Sequence, residues 1–80
     1  MRVRYIGESF GVDGLTNGKE YEVTEYLEEF DLLRVIDDSE EDYLYSPKNP
    51  RPIAVREHHG GRFEIVEDDA QGTLQNAIYG

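Results

Sequence analysis

Eighty residues with 18 acidic and eight basic side chains, a formal charge of −10, describe one small and strongly acidic domain. That balance argues against direct binding to nucleic-acid phosphates, which needs Lys and Arg to displace counterions; the absence of cysteine removes disulfides, thiolate nucleophiles and thiolate-ligated metals. No apolar run approaches the roughly 20 residues that cross a bilayer, and Met1-Arg2-Val3-Arg4 lacks a signal peptide's apolar core, so a cytoplasmic protein with no membrane contact is expected.

Nine aromatic residues and a spread of Val, Ile and Leu set the chain apart from a disordered acidic tail. Met1, Val3 and Tyr5 alternate with Arg2 and Arg4, the period of a half-buried strand. Residues 7–18 carry Gly7, Gly11, Gly14 and Gly18, whose spacing fits neither a dinucleotide fingerprint nor a P-loop. Glu8, Asp13, Glu20 and Glu22 would repel phosphate there, so a turn-rich loop is expected. Tyr21 and Val23 alternate with Glu20, Glu22 and Thr24 as a second strand.

Residues 22–35 read two ways. Val23, Tyr26, Leu27, Phe30 and Leu33 recur at spacings of three and four, and Glu22, Glu25, Glu28 and Glu29 are good helix formers. The preceding period of two and the lack of a capping box favour a hairpin that turns near residues 28–30, giving the apolar run at 32–36 a partner strand. After an Asp38-Ser39 turn, Tyr43-Leu44-Tyr45 reads as a fourth strand. Pro47-Lys48-Asn49-Pro50-Arg51-Pro52 contains a PxxP and reads as a stiff connector rather than a ligand for another domain. His58-His59 are adjacent, so their rings point apart in an extended segment; with Gly60-Gly61 they indicate a flexible loop. Phe63-Glu64-Ile65-Val66 is the fifth strand.

Many short strands in a small chain imply an all-β barrel or sandwich. Its expected core is Val3, Tyr5, Leu15, Tyr21, Val23, Leu33, Val35, Leu44, Phe63 and Ile65. Residues 1–67 form the domain; residues 68–80 are an acidic linker and tail. In that tail Thr73 would cap a short helical turn with Leu74, Ala77 and Ile78 on one face, packed on the domain, docked on a partner or frayed.

The series Val3-Arg4-Tyr5-Ile6-Gly7, Gly14-Leu15-Thr16-Asn17-Gly18-Lys19-Glu20-Tyr21-Glu22-Val23, Arg34-Val35-Ile36-Asp37-Asp38-Ser39, Glu41-Asp42-Tyr43-Leu44-Tyr45-Ser46-Pro47 and Phe63-Glu64-Ile65-Val66 resembles a group of small bacterial and phage-associated proteins. The resemblance implies an SH3-like β-barrel of about five short antiparallel strands and carries over no activity. Residues 7–18 would be its long first loop. Three departures stand out: Glu40 where the group has glycine, a longer segment at 25–31, and a longer stretch at 48–62. If the position of Glu40 needs a positive φ, a side chain there costs roughly 1 kcal/mol.

Chemistry is sparse. Asp37-Asp38-Ser39-Glu40-Glu41-Asp42 places five carboxylates in six residues, but a calcium loop begun at Asp37 has Asp42 at its sixth position and Lys48 at its twelfth, so a solvated hairpin tip is expected and no metal. Ser9, Ser39 and Ser46 lie in no nucleophile elbow, and so small a domain has little room for a pocket; a hydrolytic or metal-dependent enzyme is the least favoured reading. The chain has no tryptophan and no Tyr-rich first loop, so recognition of Pro-rich peptides is not supported.

Tyr43 and Tyr45 share one side of their strand and Leu44 takes the other. With Leu44 in the core the tyrosines stand outside near Arg34; the reverse arrangement makes them core. The first defines a candidate interaction surface of Tyr43, Tyr45, Arg34, Asp37, Asp38, Glu40 and Glu41. The expectation is a monomeric, non-enzymatic interaction module without cofactor, its partner a protein with a basic surface. The alternative is an acidic decoy that occupies a nucleic-acid-binding site on a host protein.

Overall fold

The computed structural model describes residues 1–9, 14–51 and 60–80. Among these residues five strands, β1 (Arg2–Gly7), β2 (Glu20–Leu27), β3 (Leu32–Ile36), β4 (Asp42–Tyr45) and β5 (Gly61–Glu67), precede one helix, α1 (Thr73–Tyr79). They form one antiparallel sheet in the order β4-β3-β2-β1-β5. The all-β expectation holds, and residues 22–35 are a hairpin: Leu27 pairs Leu32, with Phe30 N–H donating to the Leu27 carbonyl at 3.1 Å and Asp31 N–H to the Glu28 carbonyl at 3.3 Å.

β2 serves both halves of the sheet. Its first residues pair β1, as Arg4↔Glu20 and Val3↔Tyr21, and its later ones pair β3, as Val23↔Val35 and Tyr26↔Leu33. Between Val23 and Glu25 the register slips by a bulge, which bends a strand and shifts its alternation. Tyr21 and Val23 therefore face inward before the slip, and Tyr26 takes the inward position after it, opposite buried Leu33.

Among the described residues the core comprises Val3, Tyr5, Leu15, Tyr21, Val23, Leu33, Val35, Tyr45, Phe63, Leu74 and Ala77, with Ile65 partly buried against it. Leu44 is a correction: it is 41% exposed, and Tyr45 takes the core place instead. Register dictates this, because cross-strand partners share a face. Leu33 pairs Tyr45, whereas Leu44 lies opposite outward Arg34.

Tyr5 and Phe63 meet edge to face at 6.2 Å. The Tyr5 ring also covers Gly61, where a Cβ would come within 2.7 Å of Tyr5 Cε1 and 2.5 Å of the Ile6 carbonyl oxygen. Glycine is required at that contact, since β1 and β5 could not otherwise approach beneath the ring.

The tail belongs to the same core. Leu74 and Ala77 are buried, and α1 packs against β2 and β5. Thr73 is not its cap: Gly72 holds that position at φ 70 and Thr73 is the first helical residue. The carboxylates before it do the capping. Asp69 Oδ1 accepts Thr73 N–H at 2.9 Å, while Asp68 accepts Leu74 N–H at 2.8 Å and Gln75 N–H at 3.0 Å. The stretch read as an acidic linker thus satisfies the open N–H groups of the first turn.

Pro47 and Pro50 are fully buried, which supports the connector reading of that segment and hides the PxxP from another domain. Phe10, Gly11, Pro52 and the His58-His59 pair lie outside the described residues.

Candidate interaction surface on β3 and β4

The turn joining β3 to β4 is built on backbone bonds from Glu40 N–H to the Asp37 carbonyl at 3.0 Å and from Asp37 N–H to the Glu41 carbonyl at 3.2 Å. Glu40 follows with φ 67, the left-handed residue that closes such a loop.

The first two carboxylates of this acidic run point inward. Asp37 is 6% exposed; it accepts the Tyr45 hydroxyl at 2.6 Å and the Ser39 N–H at 2.9 Å. Burial, and then the Asp37 carboxylate beside it, push the Tyr45 phenol far above its ordinary value.

Asp38 gathers the Thr16 hydroxyl at 2.8 Å, the Lys19 ammonium at 2.7 Å and the Tyr21 hydroxyl at 2.9 Å, while its N–H donates to the Gly14 carbonyl at 2.9 Å. Partial burial opposes its ionisation, but the bonds from Lys19, Thr16 and Tyr21 outweigh it and hold the carboxyl below its ordinary value. These contacts stitch the loop at 14–19 to the turn at 37–41.

The remainder of the run is solvated. Glu40, Glu41 and Asp42 are exposed, with Tyr43 51% and Leu44 41% exposed beside them. Arg34 lies across the outer face between Glu25, at 2.8 Å, and Asp42, at 3.2 Å.

The structure therefore divides the seven residues expected at this surface. Tyr45 and Asp37 are interior partners of one another, Asp38 anchors a loop, and Arg34 is paired with carboxylates on both sides. Tyr43, Glu40 and Glu41 remain exposed, joined by Leu44. Alternation alone leaves open which face of β4 is inside; the pairing with β3, which sets Leu44 opposite Arg34, decides it.

Among the described residues no group of three or more His, Asp or Glu side chains is arranged to hold a metal ion, and no helix is long and apolar enough to cross a membrane. A shallow groove of about 280 Å³ runs beside β4, lined by Leu32, Leu44, Tyr45, Ser46, Asn49 and Arg51. In comparisons with known proteins, the chain matches no family model, no curated protein and no solved structure.

Proposed function

We propose that this chain is a non-enzymatic, SH3-like interaction module that meets a partner's basic surface through Tyr43, Leu44, Glu40 and Glu41. The carrying observation is the edge strand β4, which leaves Tyr43, on one face, and Leu44, on the other, half exposed beside an acidic turn. A half-exposed tyrosine adds contact area at low entropic cost, and the flanking carboxylates select a cationic rim. The SH3-like reading draws support from the return of β5 beside β1 and from one long strand shared by both halves of the sheet.

Affinity capture from lysate, with mass spectrometry, tests this reading when run in parallel on Tyr43→Ala/Leu44→Ser and Glu40→Lys/Glu41→Lys. Both variants should keep the wild-type circular dichroism spectrum and lose the captured protein, and added salt should weaken wild-type capture. Capture unchanged by both variants would remove β4 and its turn as the contact.

A further inference from the structure

A second surface lies at the opposite end of β4 from the acidic turn; it shares only Leu44 with the preceding one, and its test, the oligomeric state of the chain, needs no captured partner. Phe30, in the turn between β2 and β3, is 68% exposed, the most exposed of the large apolar side chains among the described residues. Its neighbours Glu28, Glu29 and Asp31 are exposed as well; the Asp31 carboxylate accepts the Tyr26 hydroxyl at 2.7 Å, which leaves Glu28 and Glu29 as the turn's outward charges. The groove beside β4 has the converse character. Leu32 and Leu44 give it apolar walls, Ser46 and Asn49 a polar rim, and Arg51 a cation.

Arg51 stands apart from the other described arginines. Among the described residues Arg2, Arg4, Arg34 and Arg62 each lie within 4.0 Å of a carboxylate, whereas exposed Arg51 has neither an ion pair nor a hydrogen bond. Key and groove are also neighbours on one molecule: Leu32, a groove wall, is two residues from Phe30, and the Leu27↔Leu32 pair closes the Phe30 turn.

We propose that the occupant of this groove is the Phe30 turn of a second copy of the chain. Phe30 of each protomer enters the other's groove, and Glu28 and Glu29 meet Arg51. Adjacent key and groove form a single self-complementary patch, which two chains satisfy about a two-fold axis, so the assembly closes as a dimer instead of growing into a filament. Aromatic and arginine side chains are the types that anchor such contacts. The net charge of −10 on each chain opposes approach, so pairing is strongest where salt screens the long-range repulsion and leaves the short contact.

Sedimentation equilibrium of the full chain at roughly physiological ionic strength tests this. The wild type should form a reversible dimer. Phe30→Ser, Arg51→Glu and Glu28→Arg/Glu29→Arg should each weaken it at least about tenfold. All three act on exposed side chains, so unchanged circular dichroism and melting accompany the loss.

The decisive arm mixes Arg51→Glu with Glu28→Arg/Glu29→Arg. Each alone sets like charges against one another at both contacts of its homodimer, whereas the mixture restores opposite charges at both, so a heterodimer should return. A wild-type chain that stays monomeric to millimolar concentration, a dimer indifferent to these substitutions, or a mixture that fails to pair overturns the proposal. The monomeric result would assign the groove to an acidic, aromatic segment of another protein.

Discussion

Glu40 and Asp31 both adopt left-handed backbone, at φ 67 and φ 53, yet they differ in what their side chains return. The Asp31 carboxylate accepts the Tyr26 hydroxyl at 2.7 Å, and aspartate is among the side chains that enter this conformation most readily. Glu40 is exposed in a turn position that glycine fills without steric cost. Glu40→Gly should therefore stabilise the domain by about 1 kcal/mol, and Asp31→Gly should not, because it removes the Tyr26 acceptor. Denaturant titration with an unchanged slope reads the difference, and a rise of roughly 4–8 °C in Tm would accompany the gain. An unchanged or lowered midpoint for Glu40→Gly would show that the turn is not strained there. In the sequence the strain at Glu40 was only a condition, a positive φ at that position, which the folded turn meets. The Asp37–Tyr45 and Asp38–Tyr21 bonds were not legible there, since separations of eight and 17 residues are bridged only when register and loop placement are known.

At the scale of elements, the bulge in β2 explains why residues 22–35 read two ways. Strand alternation would follow Val23 with an inward residue at 25; the slip moves that place to Tyr26. One shifted residue converts a spacing of two into three, which imitates a helical face. The strands themselves were legible from their alternation, whereas the bulge depends on pairing with β3. The tail shows the reverse case. A seven-residue helix is too short to persist alone, so its existence rests on Asp68 and Asp69 and on its contact with the core. Composition labelled those aspartates a linker because their N–H partners, at 73–75, become neighbours once the helix has formed. Leu74 is fully buried, so Leu74→Ala should cost about 2–5 kcal/mol, while replacement of exposed Gln75 by Ala should be near neutral. Against a total of roughly 4–12 kcal/mol for a domain of this size, that loss lowers the melting temperature of the whole sheet rather than fraying one end. A helix that melts separately, with the sheet transition unmoved, would show that α1 is an appendage.

The molecule as a whole is held by neutral phenols inside and ionised carboxylates at its seams, which gives its stability two edges in pH. On the acid side Asp38 is held low by Lys19, Thr16 and Tyr21 against partial burial, Asp69 by Thr73 above all, and Asp68 by the N–H groups of Leu74 and Gln75 against desolvation. The unfolded chain binds protons at these groups before the folded one does. Their stabilisation is therefore complete above the ordinary carboxylate pKa, near 4, and is lost as pH falls through the lower folded values. On the alkaline side burial lifts Tyr5, Tyr21 and Tyr45, the Asp31 bond lifts Tyr26, and the Asp38 bond lifts Lys19. Each raised value means that the folded state keeps its proton after the unfolded chain has released it. That stabilisation is complete below about pH 10 and is lost as pH climbs through the folded values. Unfolding free energy measured across pH should thus show a plateau with a fall below about 4 and another above about 10, the alkaline fall coinciding with a cooperative rise in tyrosinate absorbance. Tyr45→Phe removes one phenol from the alkaline edge and should make that fall shallower while leaving the acid edge, set by Asp38, Asp68 and Asp69, in place. Tyrosinate formation that proceeds gradually without unfolding would mean that the hydroxyls of Tyr5, Tyr21 and Tyr45 ionise inside the fold, and that their bonds to Glu8, Asp38 and Asp37 do not hold it together.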